Sequence, residues 1–174
     1  MGACDDGQHP FLTKLKELIR GVVERDIPYL GICLGGQLLA AAMGAEVASN
    51  RWGEKGPLTV DLTTEGQSDM LFEGISAAFR TFQWHNDSFD IPAGGTRLAL
   101  SRSCPNQAFR FGRCAWGLQF HPEVMENIVR EWAGGNPSKE QESERLVAEF
   151  NAIAEEYDAT AGRIVRNFTR LAAL

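Results

Sequence analysis

Cys33 stands in the run Tyr29-Leu30-Gly31-Ile32-Cys33-Leu34-Gly35-Gly36-Gln37, with glycines on both sides. A residue between a buried strand and a helix, flanked this way, sits on a tight turn that presents its side chain at the carboxyl edge of a sheet. Cysteine suits that place, because the thiolate is the reactive form and a helix N-terminus stabilises negative charge. The Leu34 N–H is then placed to serve an oxyanion, and Gln37, four residues on, shares the helical face of Cys33. A thiolate nucleophile needs a base and an acid to orient it. The chain has three histidines: His9, His85 and His121. His121 follows the apolar run Gly117-Leu118-Gln119-Phe120, and Pro122 holds it extended. Glu123, two residues later, then points to the same side and can fix the ring tautomer. The bland alternative for Cys33 is a buried structural thiol beside a packing turn.

The remaining histidines suit lesser roles. His85, in Trp84-His85-Asn86-Asp87 after a strand, reads as a pocket-wall residue, and His9 as a loop residue. His121, Glu123 and His85 lack a recognised ligand spacing, so no metal is expected. No cofactor motif is found either.

These side chains need a sheet edge to bring them together. Apolar residues recur at three- and four-residue intervals from Phe11 to Val23, which predicts an amphipathic helix over 10–25. Ile27 to Ile32 reads as a buried parallel strand. Gly35 and Gly36 read as the sharp turn, with a helix from Leu38 to Met43 closed by Gly44. Strands are expected at 58–62, 79–84, 97–101, 108–111 and 115–120, with Gly112-Arg113 as a hairpin turn. A helix is expected over 123–133, ended by Gly134-Gly135-Asn136-Pro137. The tail from Ser138 reads as helix-rich and without chemistry of its own, a packing or oligomerisation appendage. This is an α/β pattern with antiparallel additions.

Composition narrows the partners. In 174 residues, 17 Lys and Arg stand against 23 Asp and Glu, a net charge of −6. Binding to nucleic acid is therefore not expected. The uncharged stretch from Ile27 to Ala45 is long enough to span a bilayer, but its glycines and Pro28 break it into short elements. No membrane association is expected. Four cysteines without a CxxC pair suggest reduced thiols in the cytoplasm.

Gly31-Ile32-Cys33-Leu34-Gly35-Gly36-Gln37 and Gly117-Leu118-Gln119-Phe120-His121-Pro122-Glu123 resemble the two signature segments of class I glutamine amidotransferases. With Trp84-His85-Asn86-Asp87 between them, the chain most resembles the stand-alone GMP-synthase-like domains. The resemblance implies a flavodoxin-like three-layer α/β fold with a mixed sheet and a helical C-terminal tail. It implies a Cys33–His121–Glu123 triad that hydrolyses the side-chain amide of glutamine through a glutamyl thioester. Leu34, Gln37, Trp84, His85 and Asn86 would then contact substrate, with oxyanion donors at Leu34 and Gly2. Ammonia would be released or passed to a separate synthetase subunit, since no ATP-binding motif is present. Family members carry further strands before the Met1-Gly2 turn, so the chain is expected to lack its first strands. Residues 1–133 are assigned to the amidotransferase domain and 134–174 to a helical extension of it. An exposed sheet edge and a helical tail are features a homo-oligomer would use. Two rival functions share these residues: hydrolysis of other γ-glutamyl compounds, and a catalytically impaired fragment acting as a binding module.

Overall fold

The computed structural model describes residues 1–134 and 140–173. The expected helix-ending stretch 135–137 and the start of the tail at Ser138 lie outside the described residues. Helix α1 (Phe11–Glu24) begins at Pro10, strand β1 (Tyr29–Ile32) follows, and α2 (Leu34–Ala42) starts directly after Cys33. Then come β2 (Val47–Ala48), β3 (Glu54–Leu62), the short α3 (Thr64–Gln67) and a 3-10 turn at Met70–Phe72. Strands β4 (Ala78–His85), β5 (Ser88–Phe89), β6 (Thr96–Leu100), β7 (Ala108–Phe111) and β8 (Ala115–Leu118) lead to α4 (Glu126–Ala133), α5 (Glu140–Asn151) and α6 (Ala154–Ala172).

Six strands form one mixed sheet in the order β1-β8-β7-β6-β3-β4. Only β1 and β8 run parallel, Tyr29 opposite Ala115 through Ile32 opposite Leu118. The other pairings are antiparallel, and β2 and β5 form a separate ribbon. The parallel pair sets where the site residues emerge. Its two strands end side by side, so the residues that follow Ile32 and Leu118 emerge at the same carboxyl edge, where α/β sheets bind ligands.

Alternation along the strands separates two cores. Trp116 and Leu118 face a cluster with Val60, Leu62, Phe79, Leu98, Phe120 and Ile164 of α6. Ala115 and Phe109 face a cluster with Leu12 and Ile19 of α1 and Leu38 and Leu39 of α2. A third cluster joins Phe82 to Val129, Leu146, Phe150 and Tyr157 from α4, α5 and α6. The helical tail thus packs on the sheet. Not every apolar position of α1 is buried: Phe11 and Leu18 stay exposed.

The main departure from the expected elements is at α2. Its first turn contains Gly35 and Gly36, which the sequence pattern assigns to the turn itself. Helix propensity disfavours glycine there, but the space requires it. A Cβ on Gly36 would lie 2.6 Å from the Leu118 carbonyl oxygen, and one on Gly31 would lie 2.4 Å from the Gly35 backbone. The glycines let the helix start press directly on the parallel strands. Strand β3 also begins earlier than its alternation suggested, at Glu54.

Candidate active site

The sharp turn is made by Cys33 itself, with φ 48° and ψ −105°. A non-glycine residue in the left-handed region carries strain of ~1–3 kcal/mol and persists only where its surroundings over-determine it. Here they do. The Cys33 N–H donates to the Leu118 carbonyl at 2.8 Å, and its own carbonyl accepts from the Gln37 N–H at 2.9 Å, closing the first turn of α2. The sulfur is thus carried at the helix N-terminus, half-buried. Leu34 is the first residue of that helix, where a backbone N–H has no intrahelical partner.

His121 arrives from the neighbouring strand end. Its N–H donates to the Phe82 carbonyl at 2.8 Å, and its Nδ1 lies 2.6 Å from Glu123 Oε1. Glu123 is partly open to solvent while the imidazole is nearly covered. Burial disfavours the imidazolium, yet the Cys33 sulfur and the Glu123 carboxylate outweigh it and push the His121 pKa up to about 9. The Nε2 atom is buried and has no hydrogen-bond partner of regular geometry among the described residues, while Cys33 is near enough to act on its protonation.

Two residues from the helical region hold this segment, and neither was marked by sequence. The Tyr157 hydroxyl of α6 reaches the carbonyls of His121 (2.9 Å) and Val124 (3.1 Å). Trp132 of α4 stands edge-on to the His121 ring at 5.0 Å and lies 5.9 Å from Trp84. The only advance signal was that both are large amphipathic aromatics on helices otherwise rich in charge. The tail therefore touches the site through Tyr157, as a packing element on the His121 segment.

Trp84, His85 and Asn86 line a cavity of about 230 Å³ together with Glu54 and Lys55. The Lys55 ammonium lies 4.4 Å from the Trp84 ring centroid and pairs with Glu142 of α5 at 2.7 Å. His85 is buried, its Nδ1 3.1 Å from the Asp87 carbonyl and its Nε2 3.5 Å from Glu54 Oε2. Glu54 accepts from the Ser101 hydroxyl at 2.6 Å and from Gln107 Nε2. Gln37 Nε2 donates to the Asp87 carbonyl (3.1 Å) and to Gln119 Oε1 (3.3 Å), which occupies both hydrogens of its amide. Gln119 Nε2 in turn lies 3.7 Å from Cys33 Sγ. Gly2 is placed differently from expectation: its N–H donates to Asp5 Oδ2 at 2.6 Å, within its own turn. No group of His, Cys, Asp and Glu that could hold a metal ion occurs among the described residues, and no helix there is long and apolar enough to cross a membrane.

Known proteins resemble this chain in sequence and in fold. Residues 2–129 match the model of the family described as glutamine amidotransferase class-I. A glutamine-hydrolyzing GMP synthase subunit of Pyrococcus abyssi is 31% identical over 125 residues, covering 68% of this chain and 65% of that protein. The corresponding subunit of Natronomonas pharaonis is 38% identical over 111 residues, 63% of this chain and 59% of that one. The chain thus spans somewhat under two thirds of the length of these curated relatives. The crystal structure of a glutamine amidotransferase from Thermotoga maritima superposes with a TM-score of 0.83 at 32% identity, over 99% of this chain and 74% of that one. The match extends through α5 and α6, so the helical region belongs to what is shared. The family model reaches past both signature segments to α4, and the chain is a member of the class I glutamine amidotransferase family.

Proposed function

We propose that the chain hydrolyses the side-chain amide of glutamine to glutamate and ammonia, with Cys33 as nucleophile, His121 as acid and base, and Glu123 as the group that orients His121. The observation that carries this reading is the 2.6 Å contact of His121 Nδ1 with Glu123 Oε1 beside a cysteine held at a strained strand–helix turn. Sγ attacks the glutamine Cδ carbonyl, and the oxyanion formed turns toward the Leu34 N–H and the N-terminus of α2. Nε2 of the imidazolium gives its proton to the departing nitrogen, which leaves as ammonia. The glutamyl thioester remains. Neutral His121 then takes a proton from water, the hydroxide adds to the thioester carbonyl, and collapse returns the thiolate and glutamate.

A Gly2 contribution to the oxyanion requires its N–H to leave Asp5. The cavity at Trp84, His85 and Asn86 is small beside the ~300–1,000 Å³ of drug-sized sites and suits an amino acid. We assign the amino-acid end of glutamine to it. The relatives named as subunits support a separate synthetase partner that takes up the ammonia, and the free thiols suit the cytoplasm.

The test is ammonia release from glutamine, assayed beside γ-glutamyl peptides. Glutamine turnover that disappears in Cys33→Ala and drops by ~10³-fold or more in His121→Ala fits the assignment. Turnover of γ-glutamyl peptides alone would transfer the same residues to a different substrate.

A further inference from the structure

The side chain of Gln119 is used by no step above, yet it lies against the reacting sulfur. We propose that Gln119 is a catalytic residue whose side-chain amide donates a hydrogen bond to the Cys33 thiolate, stabilising and aiming it. This rests on Cys33 being the nucleophile and is indifferent to whether glutamine is the substrate.

The direction of the amide follows from its neighbours. The Asp87 carbonyl can only accept, so the Gln37 atom 3.1 Å from it is the nitrogen. The second hydrogen of that nitrogen meets Gln119 Oε1 at 3.3 Å. Gln119 therefore turns its own nitrogen to Cys33 Sγ, at 3.7 Å, a length suited to a large sulfur acceptor. The opposite orientation would set donor against donor at Gln37 and a carbonyl oxygen against the thiolate. Gln119 is wholly buried, and its backbone N–H is anchored on the Gln107 carbonyl at 2.8 Å. The same Asp87 carbonyl also faces His85 Nδ1, which leans on Glu54. Polar contacts thus run from His85 through the Asp87 carbonyl, Gln37 and Gln119 to Cys33. A half-buried anion that loses a donor is destabilised, and nothing else in this series can supply one to sulfur.

The titratable groups bearing on Cys33 are His121 and, behind it, Glu123. Gln119 carries no charge, so its contribution does not titrate. Removing it should displace the pH profile of Cys33 without altering its shape, whereas removing His121 should alter the shape. A purely structural role would do neither.

The experiment is the rate of Cys33 alkylation by iodoacetamide against pH, read by mass spectrometry on the Cys33 peptide to separate it from Cys4, Cys104 and Cys114. Loss of one hydrogen bond to a charged group corresponds to about one pH unit. Gln119→Met should move the midpoint up by that amount and slow alkylation at every pH below it. Gln119→Glu, matched in size, should move it further. Gln37→Leu, which frees the Gln119 amide without removing it, should give a smaller upward shift. If Gln119→Met does not fold, the other two variants decide. Unchanged midpoints in folded Gln119→Glu and Gln37→Leu overturn the proposal. Ammonia release from glutamine, run in parallel on the unaltered protein, reports separately on the substrate.

Discussion

The proposed nucleophile, Cys33, and its proposed base, His121, are held by opposite kinds of structure. Cys33 is fixed by near neighbours in the chain: Gly31 below it, Gly35 and Gly36 after it, and the Gln37 N–H on its carbonyl. Outside that run its backbone and sulfur meet the adjoining strand end, through Leu118 and Gln119, and the sulfur also faces His121. His121 has Glu123 close by, but Phe82, Trp132 and Tyr157 come from a distant strand and two helices. One side of the site is a local motif and the other is an assembly. The first should fail by steric collision, the second by loosening.

That contrast can be broken at several points. The largest effect should come from Gly31→Ala. Its Cβ would meet backbone that cannot swing away, so the cost should reach or exceed the ~1–3 kcal/mol usual for overpacking. Denaturant melts would show it, and a loss below ~0.5 kcal/mol would mean that α2 can lift from the strands. Tyr157→Phe tests the other side. Losing its hydroxyl leaves two buried carbonyls without this donor and should cost ~1–2 kcal/mol. Turnover should fall by much more than Cys33 alkylation, because Tyr157 acts on the His121 segment and reaches Cys33 only through it. If both fall equally, the two halves are not independent.

His121 supplies a pH test. Its folded pKa lies near 9, above the ordinary 6.5. The stability it contributes is therefore complete below about pH 6.5 and is lost as pH rises through about 9. Unfolding midpoints measured from pH 6 to 10 should decline over that window, and His121→Asn should flatten the decline. The smallest effect is expected at the nucleophile. Cys33→Gly should be more stable than Cys33→Ala by ~1 kcal/mol, because glycine accepts the positive φ at no steric cost. Equal stabilities would show that the turn stores no strain.

How much of this was legible in the sequence follows the same division. The Cys33 turn, the His121-Pro122-Glu123 segment and strand β7 at 108–111 could all be read, because each depends on local conformation or a short apolar run. The start of α2 was misplaced, since two glycines signal a turn by propensity and only the nearness of Leu118 reveals them as packing positions. Tyr157 and Trp132 could not be found, because nothing local marks which aromatic on a charged helix will reach the His121 segment; Trp132 does so while staying 37% exposed. Gln119 lay inside a recognised segment, yet its role depends on Gln37, eighty-two positions away in the chain. Glu54 was missed in a related way: it opens a strand whose early part does not alternate.

The bond from the Cys33 N–H to the Leu118 carbonyl extends the β1–β8 ladder one residue beyond the strands. The Cys33 amide is thereby part of the sheet. Its hydrogen should exchange with solvent only when those two strands separate, at a rate shared with Ile32 and unlike that of an ordinary surface turn. Thermal or chemical stress would then loosen the Cys33 turn in one cooperative step with the parallel pair, with no intermediate regime of a slackened turn on an intact sheet.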